Sequence, residues 1–155
     1  VTGRLTSAPW DATFLSGGFM PVGGVMYWYP LPGRQLLKLG WTTREVPHDG
    51  VMQDFAGVLN SYRDFSFVPF LRVYVDIVSQ LIPEKYRMEP PSKRWLVGPG
   101  ITPQEPEADT WEWFSHRYGL SQKEEEEFKI ALQGVKSLPF MLTSTHVERM
   151  AEIDL

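Results

Sequence analysis

FLSGGFMPVGGVMYWYPLPGRQLLKLGW, residues 14–41, decides how this chain is read. Residues 12–18 read as a short strand that ends in the Gly17-Gly18 turn. Residues 19–22 and 24–29 are rich in β-branched and aromatic side chains, and the reading is a second hairpin or a bent strand pair turned by Gly23-Gly24. Pro21 donates no backbone hydrogen bond, which makes its strand an edge or bulged one. Pro30 and Pro32 stop the sheet. A short helix is expected over Arg34–Leu39, with Leu36, Leu37 and Leu39 inward and Gly40 as its C-cap glycine. Arg34 and Lys38 are four apart and share one helical face.

Beyond this stretch the periodicity turns helical. Val51, Met52, Phe55, Val58 and Leu59 fit a helix from His48 to Asn60, with Asp49 as its N-cap. Arg63–Phe67 reads as an aromatic linker, and Pro69 suits the first turn of a helix running to about Leu81. Residues 83–108 are Pro-rich and read as a long surface connection, which makes them a functional candidate. A helix is predicted from Asp109 to Tyr118, with Trp111, Phe114 and Tyr118 on one side and Gly119 as its breaker. Ser121 with Glu124, and Thr145 with Glu148, match capping boxes that open two further helices, to about Gly134 and Ile153. The fold class is α+β: an antiparallel hairpin at the N-terminal end packed on an α-helical bundle. It divides into a hairpin and short basic helix over 1–44 and a helical domain over 45–155.

Composition narrows the function classes. At 155 residues, with 43% hydrophobic and 22% charged residues, the chain can bury a sizeable core. It has no Cys, which excludes a disulfide scaffold or a thiolate-bound zinc. No apolar run is long enough to span a membrane, so no transmembrane segment is expected. Val1 in place of Met is read as the start of an expressed piece, a processed product or a fragment of a longer protein. The net charge of −4 argues against an autonomous nucleic-acid binder but not against part of a larger one with one basic face.

Chemistry-bearing motifs are sparse. His48, His116 and His146 lie far apart, with no carboxylate at metal-ligand spacing, and read as surface or cap residues. Neither a GxSxG nor a phosphate-loop pattern occurs. The Glu124–Glu127 run reads as a solvated helix start, with Phe128, Ala131 and Leu132 inward. The basic residues carry more. Arg34 and Lys38, then Arg44, precede Lys85, Arg87, Lys93 and Arg94, which lie near Tyr86 and Trp95. Cations interleaved with aromatics suit a single-stranded nucleic acid. The competing reading is an ordinary charged surface.

Residues 14–41 also resemble the segment after the palm motifs of viral RNA-dependent RNA polymerases, of the noda-like and related positive-strand type. There the primer grip, motif E, opens on an F-C/L-S-small-R/G-F pattern, matched by Phe14, Leu15, Ser16, Gly17, Gly18 and Phe19. A later P-x-x-G-R-x-L-x-K-x-x-W pattern is matched by Pro30, Gly33, Arg34, Leu36, Lys38 and Trp41. Ser61–Val75 and Phe114–Leu120 look like the thumb helices that follow. The palm aspartates, including Gly-Asp-Asp, are absent, and Gly18 stands where many relatives carry Arg.

The resemblance implies a thumb and primer-grip piece that is not catalytic alone. Two Mg²⁺ ions would belong to the missing palm, and this chain would bind no cofactor itself. Ser16, Gly17 and Gly18 would meet the priming end, their glycines permitting close approach. Arg34, Lys38, Arg44, Lys93 and Arg94 would hold phosphates without reading sequence. The implied partners are single-stranded or duplex RNA and the palm and fingers, in the same or a separate chain. The implied place is a replication complex in the host cytoplasm. Two other classes stay open: a viral or phage structural or assembly module, and a helical protein-interaction domain anchored by the Trp-rich helix.

Overall fold

The computed structural model describes residues 8–44, 49–83, 103–135 and 144–155, and only the backbone of 40–44 and 49–51. Two strands, β1 (Gly17–Val22) and β2 (Val25–Pro30), are followed by α1 (Pro32–Arg44), α2 (Asp49–Ser61) and α3 (Leu71–Leu81). Then come α4 (Ala108–Tyr118), α5 (Gln122–Gln133) and α6 (Thr145–Asp154), with short 3-10 turns at Pro9–Asp11 and Tyr62–Phe65. This is the α+β arrangement expected, an antiparallel hairpin on a helical bundle. Most of residues 83–108, with Lys85, Arg87, Lys93 and Arg94, lie outside the described residues, as does His48.

The hairpin is regular. Its register runs from Gly17 opposite Pro30 to Val22 opposite Val25, and Gly23 and Gly24 turn it with φ of 62° and 84°. Two positive values suit a type I′ turn, whose twist matches that of the strands. Next to that turn, the Pro21–Met26 pair directs its backbone groups sideways, so a proline there breaks no ladder bond and needs no bulge. The Pro21 carbonyl accepts instead from the Thr110 hydroxyl at 2.6 Å.

The first strand starts later than 12–18 predicts. The chain reverses at Leu15-Ser16, with φ of 54° and 60°, and Phe14 and Gly17 close the turn by reciprocal backbone bonds of 2.7 and 3.0 Å. Gly17 and Gly18 fall inside the strand because aromatic rings cover them. A Cβ on Gly17 would overlap the Trp28 indole, and one on Gly18 would press on the Tyr29 ring.

The basic helix is longer than Arg34–Leu39. Pro32 opens it, and it runs through Gly40 to Arg44. An interior glycine costs only about 1 kcal/mol against alanine, so it does not end a helix by itself. Leu36 and Leu39 are buried, whereas Leu37 lies a third of a turn away and is exposed. Val58 on α2 faces outward, and so does Ala131 on α5, which its spacing from Phe128 and Leu132 places inward.

A two-stranded sheet is marginal alone, and this one is held by what it packs on. Met20, Val22 and Tyr29 join Leu36, Leu39, Phe55, Phe70, Tyr74, Phe114, Tyr118, Phe128 and Met150 in one buried cluster. Each such side chain contributes roughly 1.5–3 kcal/mol. β1 lies on α4, α1 lies on α6 and α3, and α3 lies between α2 and α5.

Candidate nucleic-acid interface

The Leu15-Ser16 turn and α1 meet at one surface. The Arg34 guanidinium donates to Ser16 Oγ at 3.2 Å, and Leu31 N donates to Ser16 O at 3.4 Å. Trp28 Nε1 donates to Phe14 O at 3.1 Å, which ties the turn to β2 from the other side. Arg34 has five N–H donors in a planar fork, and the Ser16 bond uses one. Lys38 is exposed one helical turn along the same face.

The turn presents apolar surface. Phe14 is 59% exposed, Leu15 77% and Phe19 46%. Phe19 faces Trp28 across the ladder, and Trp28 meets the edge of Phe65 at 5.9 Å between ring centres. Leu15 and Ser16 hold left-handed backbone without being glycine, a conformation that costs roughly 1–2 kcal/mol per residue. Strain of this kind collects at binding and switch sites.

Of the sequence-predicted site residues, the fold brings Ser16, Gly17, Gly18, Arg34 and Lys38 into one neighbourhood. Gly17 and Gly18 are buried, and the close approaches they allow are those of Trp28 and Tyr29. Arg44 closes α1, but its side chain lies outside the described residues, as do Lys93 and Arg94.

The base of α1 depends on residues that sequence reasoning passed over. Gly33 N donates to Asp154 Oδ2 at 2.7 Å, so a carboxylate from α6 caps the start of α1. Asp154 Oδ1 accepts from Arg117 Nη2 at 2.9 Å and from the Tyr118 hydroxyl at 2.7 Å. Arg117 Nη1 donates to Trp10 O at 3.1 Å. The Arg117 and Asp154 side chains are almost fully buried; Asp154 is satisfied by Gly33 and Tyr118 and Arg117 Nη1 by Trp10, while Arg117 Nε finds no hydrogen-bond partner among the described residues. Burial pushes the nearby Tyr29 hydroxyl up to about 12, and burial raises Tyr118 well above the ordinary tyrosine value.

The other end of the hairpin is held by α4. Gly23 N and Gly24 N donate to the two Asp109 carboxylate oxygens at 3.1 and 2.8 Å. Burial works to raise the Asp109 carboxyl, but bonds from Gly24, Gly23 and Thr110 outweigh it and hold it below the usual carboxylate range.

A second polar cluster sits under α3. Glu125 is buried, unlike its neighbours in the acidic run, and accepts from Phe70 N at 2.9 Å and Arg72 Nη2 at 2.5 Å. The helical phase of Phe128 and Leu132 points to position 125 as inward, which is the signal that a count of four glutamates hides. Arg72 also borders an open groove of about 350 Å³ with Asp76, Gln104, Glu105 and Lys129. Its mixed charges define no ligand.

The histidines divide. His116 stacks on Trp10 with ring centres 4.2 Å apart, and His146 pairs with Glu127 at 3.6 Å. Trp111 and Trp113 pack half-buried against the core. Among the described residues no group of three or more His, Asp or Glu is placed to hold a metal ion. No described helix is long and apolar enough to cross a membrane.

Comparison with family models, curated proteins and solved structures finds no match to this chain.

Proposed function

We propose that the chain is the primer-grip and thumb portion of a viral RNA-dependent RNA polymerase, which positions template and nascent RNA while aspartates carried by a palm elsewhere perform nucleotidyl transfer. The observation that carries this reading is the Arg34–Ser16 contact at 3.2 Å. It makes the Phe14–Phe19 turn and the basic helix a single surface, with a cationic fork beside a strained and exposed turn. Arg34 and Lys38 hold phosphate and fix register without reading sequence. Ser16 aims the guanidinium. Gly17 and Gly18 let Trp28 and Tyr29 support the turn from within the hairpin. Mg²⁺ and the chemical step belong to the palm.

The test has two parts. Single-stranded RNA should bind this chain weakly, and log affinity should fall linearly with log salt, at about −0.7 per phosphate contact. Arg34→Ala and Lys38→Ala should each flatten that slope by about 0.7. In the enzyme that includes the palm, the double variant should slow elongation with its Mg²⁺ dependence unchanged. Binding that ignores salt, or elongation untouched by the double variant, removes these residues from the site. A reading frame with no palm before Val1 and no palm-bearing partner removes the polymerase reading itself.

A second reading rests on Val25 and Met26, which extend the exposed apolar surface of the hairpin beyond the turn. That favours a structural or assembly module packing against other chains. A large symmetric oligomer on a sizing column supports it over the first.

A further inference from the structure

The hairpin is graded from end to end. At the Ser16 end it is aromatic and cationic: Phe14, Phe19 and Trp28 lie together, with Arg34 bonded into the turn. At the Gly23-Gly24 end it is acidic: Met26 is exposed on the same face as Phe19, Asp109 binds both turn amides at the tip, and the Glu107 carboxylate lies over Gly23. A polyanion is drawn to the first end and repelled from the second.

We infer that the Ser16 end takes unpaired nucleotides, so that the surface selects single-stranded RNA over duplex. This inference rests on the proposed RNA role and specifies its ligand. A duplex offers phosphates at its surface and keeps its base faces stacked inside. It would satisfy Arg34 and Lys38 while leaving Phe14 and Phe19 in water. A single strand offers base faces and phosphates together, and each base has a π face for an aromatic ring whatever its sequence. From Gly17 to Phe19 the strand advances about 7 Å, room for about two stacked bases. Beyond Phe19 the acidic end limits the footprint.

The experiment measures anisotropy of a labelled short RNA strand, the same strand in duplex, and an abasic strand of equal length, each against the whole chain. The single strand should bind about tenfold tighter than the duplex, and the abasic strand should lose that margin. Phe19→Ala should weaken single-strand binding about fivefold or more and leave duplex binding unchanged. Phe19→Tyr should keep the preference. Phe19→Leu, which retains apolar bulk without a π face, should lose it. Phe19 is half-exposed, and matched melting curves separate a binding loss from a folding loss.

Equal binding of duplex and single strand with a normal salt slope overturns the selection and leaves the phosphate contacts standing. Equal binding of the abasic strand does the same. No binding of any RNA overturns both this inference and the RNA role. If Phe19→Ala disperses a self-associated form while RNA affinity stays the same, the face is a protein-docking surface and the inference fails.

Discussion

Gly33 is the residue at which α1 and α6 approach backbone to backbone. A Cβ there would overlap the Met150 carbonyl and the Ala151 amide, which are main-chain atoms and cannot swing aside. Gly33→Ala is therefore expected to destabilise by about 1–3 kcal/mol and to lower Tm by several degrees in a thermal melt. Asp109 acts differently, because its carboxylate is what the hairpin turn binds. Its value in the folded chain lies below the unfolded one. Its stabilisation is thus present above about pH 4 and lost as pH falls through the lower folded value. Asp109→Asn should flatten the acid limb of a denaturant-midpoint profile measured below pH 4. A profile with the same acid limb would show that other carboxylates govern it.

At the scale of elements, the legible features were those whose cause is local. Gly23-Gly24 supplies both positive φ values of its turn, and Ser121 with Glu124 closes a capping box within four residues. Gly119 ends α4 in left-handed backbone, as a glycine after an aromatic helix face predicts. Where local signals competed, the reading slipped. Thr145 with Glu148 fits the capping pattern, but Ser144 is the N-cap, its Oγ accepting from Val147 N at 3.4 Å. Ser144→Ala should cost α6 about 1 kcal/mol and Thr145→Ala much less, as read from paired urea melts. Pro69 does not begin α3. Phe70 caps it with φ of 68°, buried and tied to Glu125. A phenylalanine in left-handed backbone has no sequence signature, since the packing of Phe114, Phe128 and His146 around its ring decides it. The Leu15-Ser16 turn was missed for a related reason. The nearby Gly-Gly pair is the better turn former by propensity, and the covering Trp28 and Tyr29 rings claim it for the strand.

At the scale of the molecule, the candidate site was half legible. Arg34 and Lys38 follow from helical spacing, but the contact to Ser16 needs the chain to fold back, and the support under α1 comes from Asp154. Arg117, Tyr118, Tyr29 and Asp154 belong to two helices and a strand, and no periodicity links them. Their burial has a consequence at high pH. Tyr29 ionises near 12 in the folded chain because burial disfavours its charged form, and Tyr118 is raised for the same first reason. Raised folded values mean that this stability is whole below about pH 10 and lost as pH climbs through the folded values. The urea midpoint should hold to about pH 10 and fall between pH 10 and 12. Tyr29→Phe should lessen the fall, and an unchanged fall would assign it elsewhere.

The Gly33–Asp154 bond spans 121 residues, and the Gly23–Asp109 bond spans 86. A ribosome delivers the hairpin and the basic helix early, yet the carboxylate that caps that helix emerges far later. Contacts of such separation are the slow ones in folding. During synthesis the hairpin waits without Asp109 and without the helices that cover Met20, Val22 and Tyr29, with those side chains exposed and an unpaired strand edge open to neighbouring nascent chains. Arg34 therefore gains its final bearing only once residue 154 has left the exit tunnel, so a stalled or shortened translation product carries Arg34 and Lys38 on a helix whose start is not yet fixed.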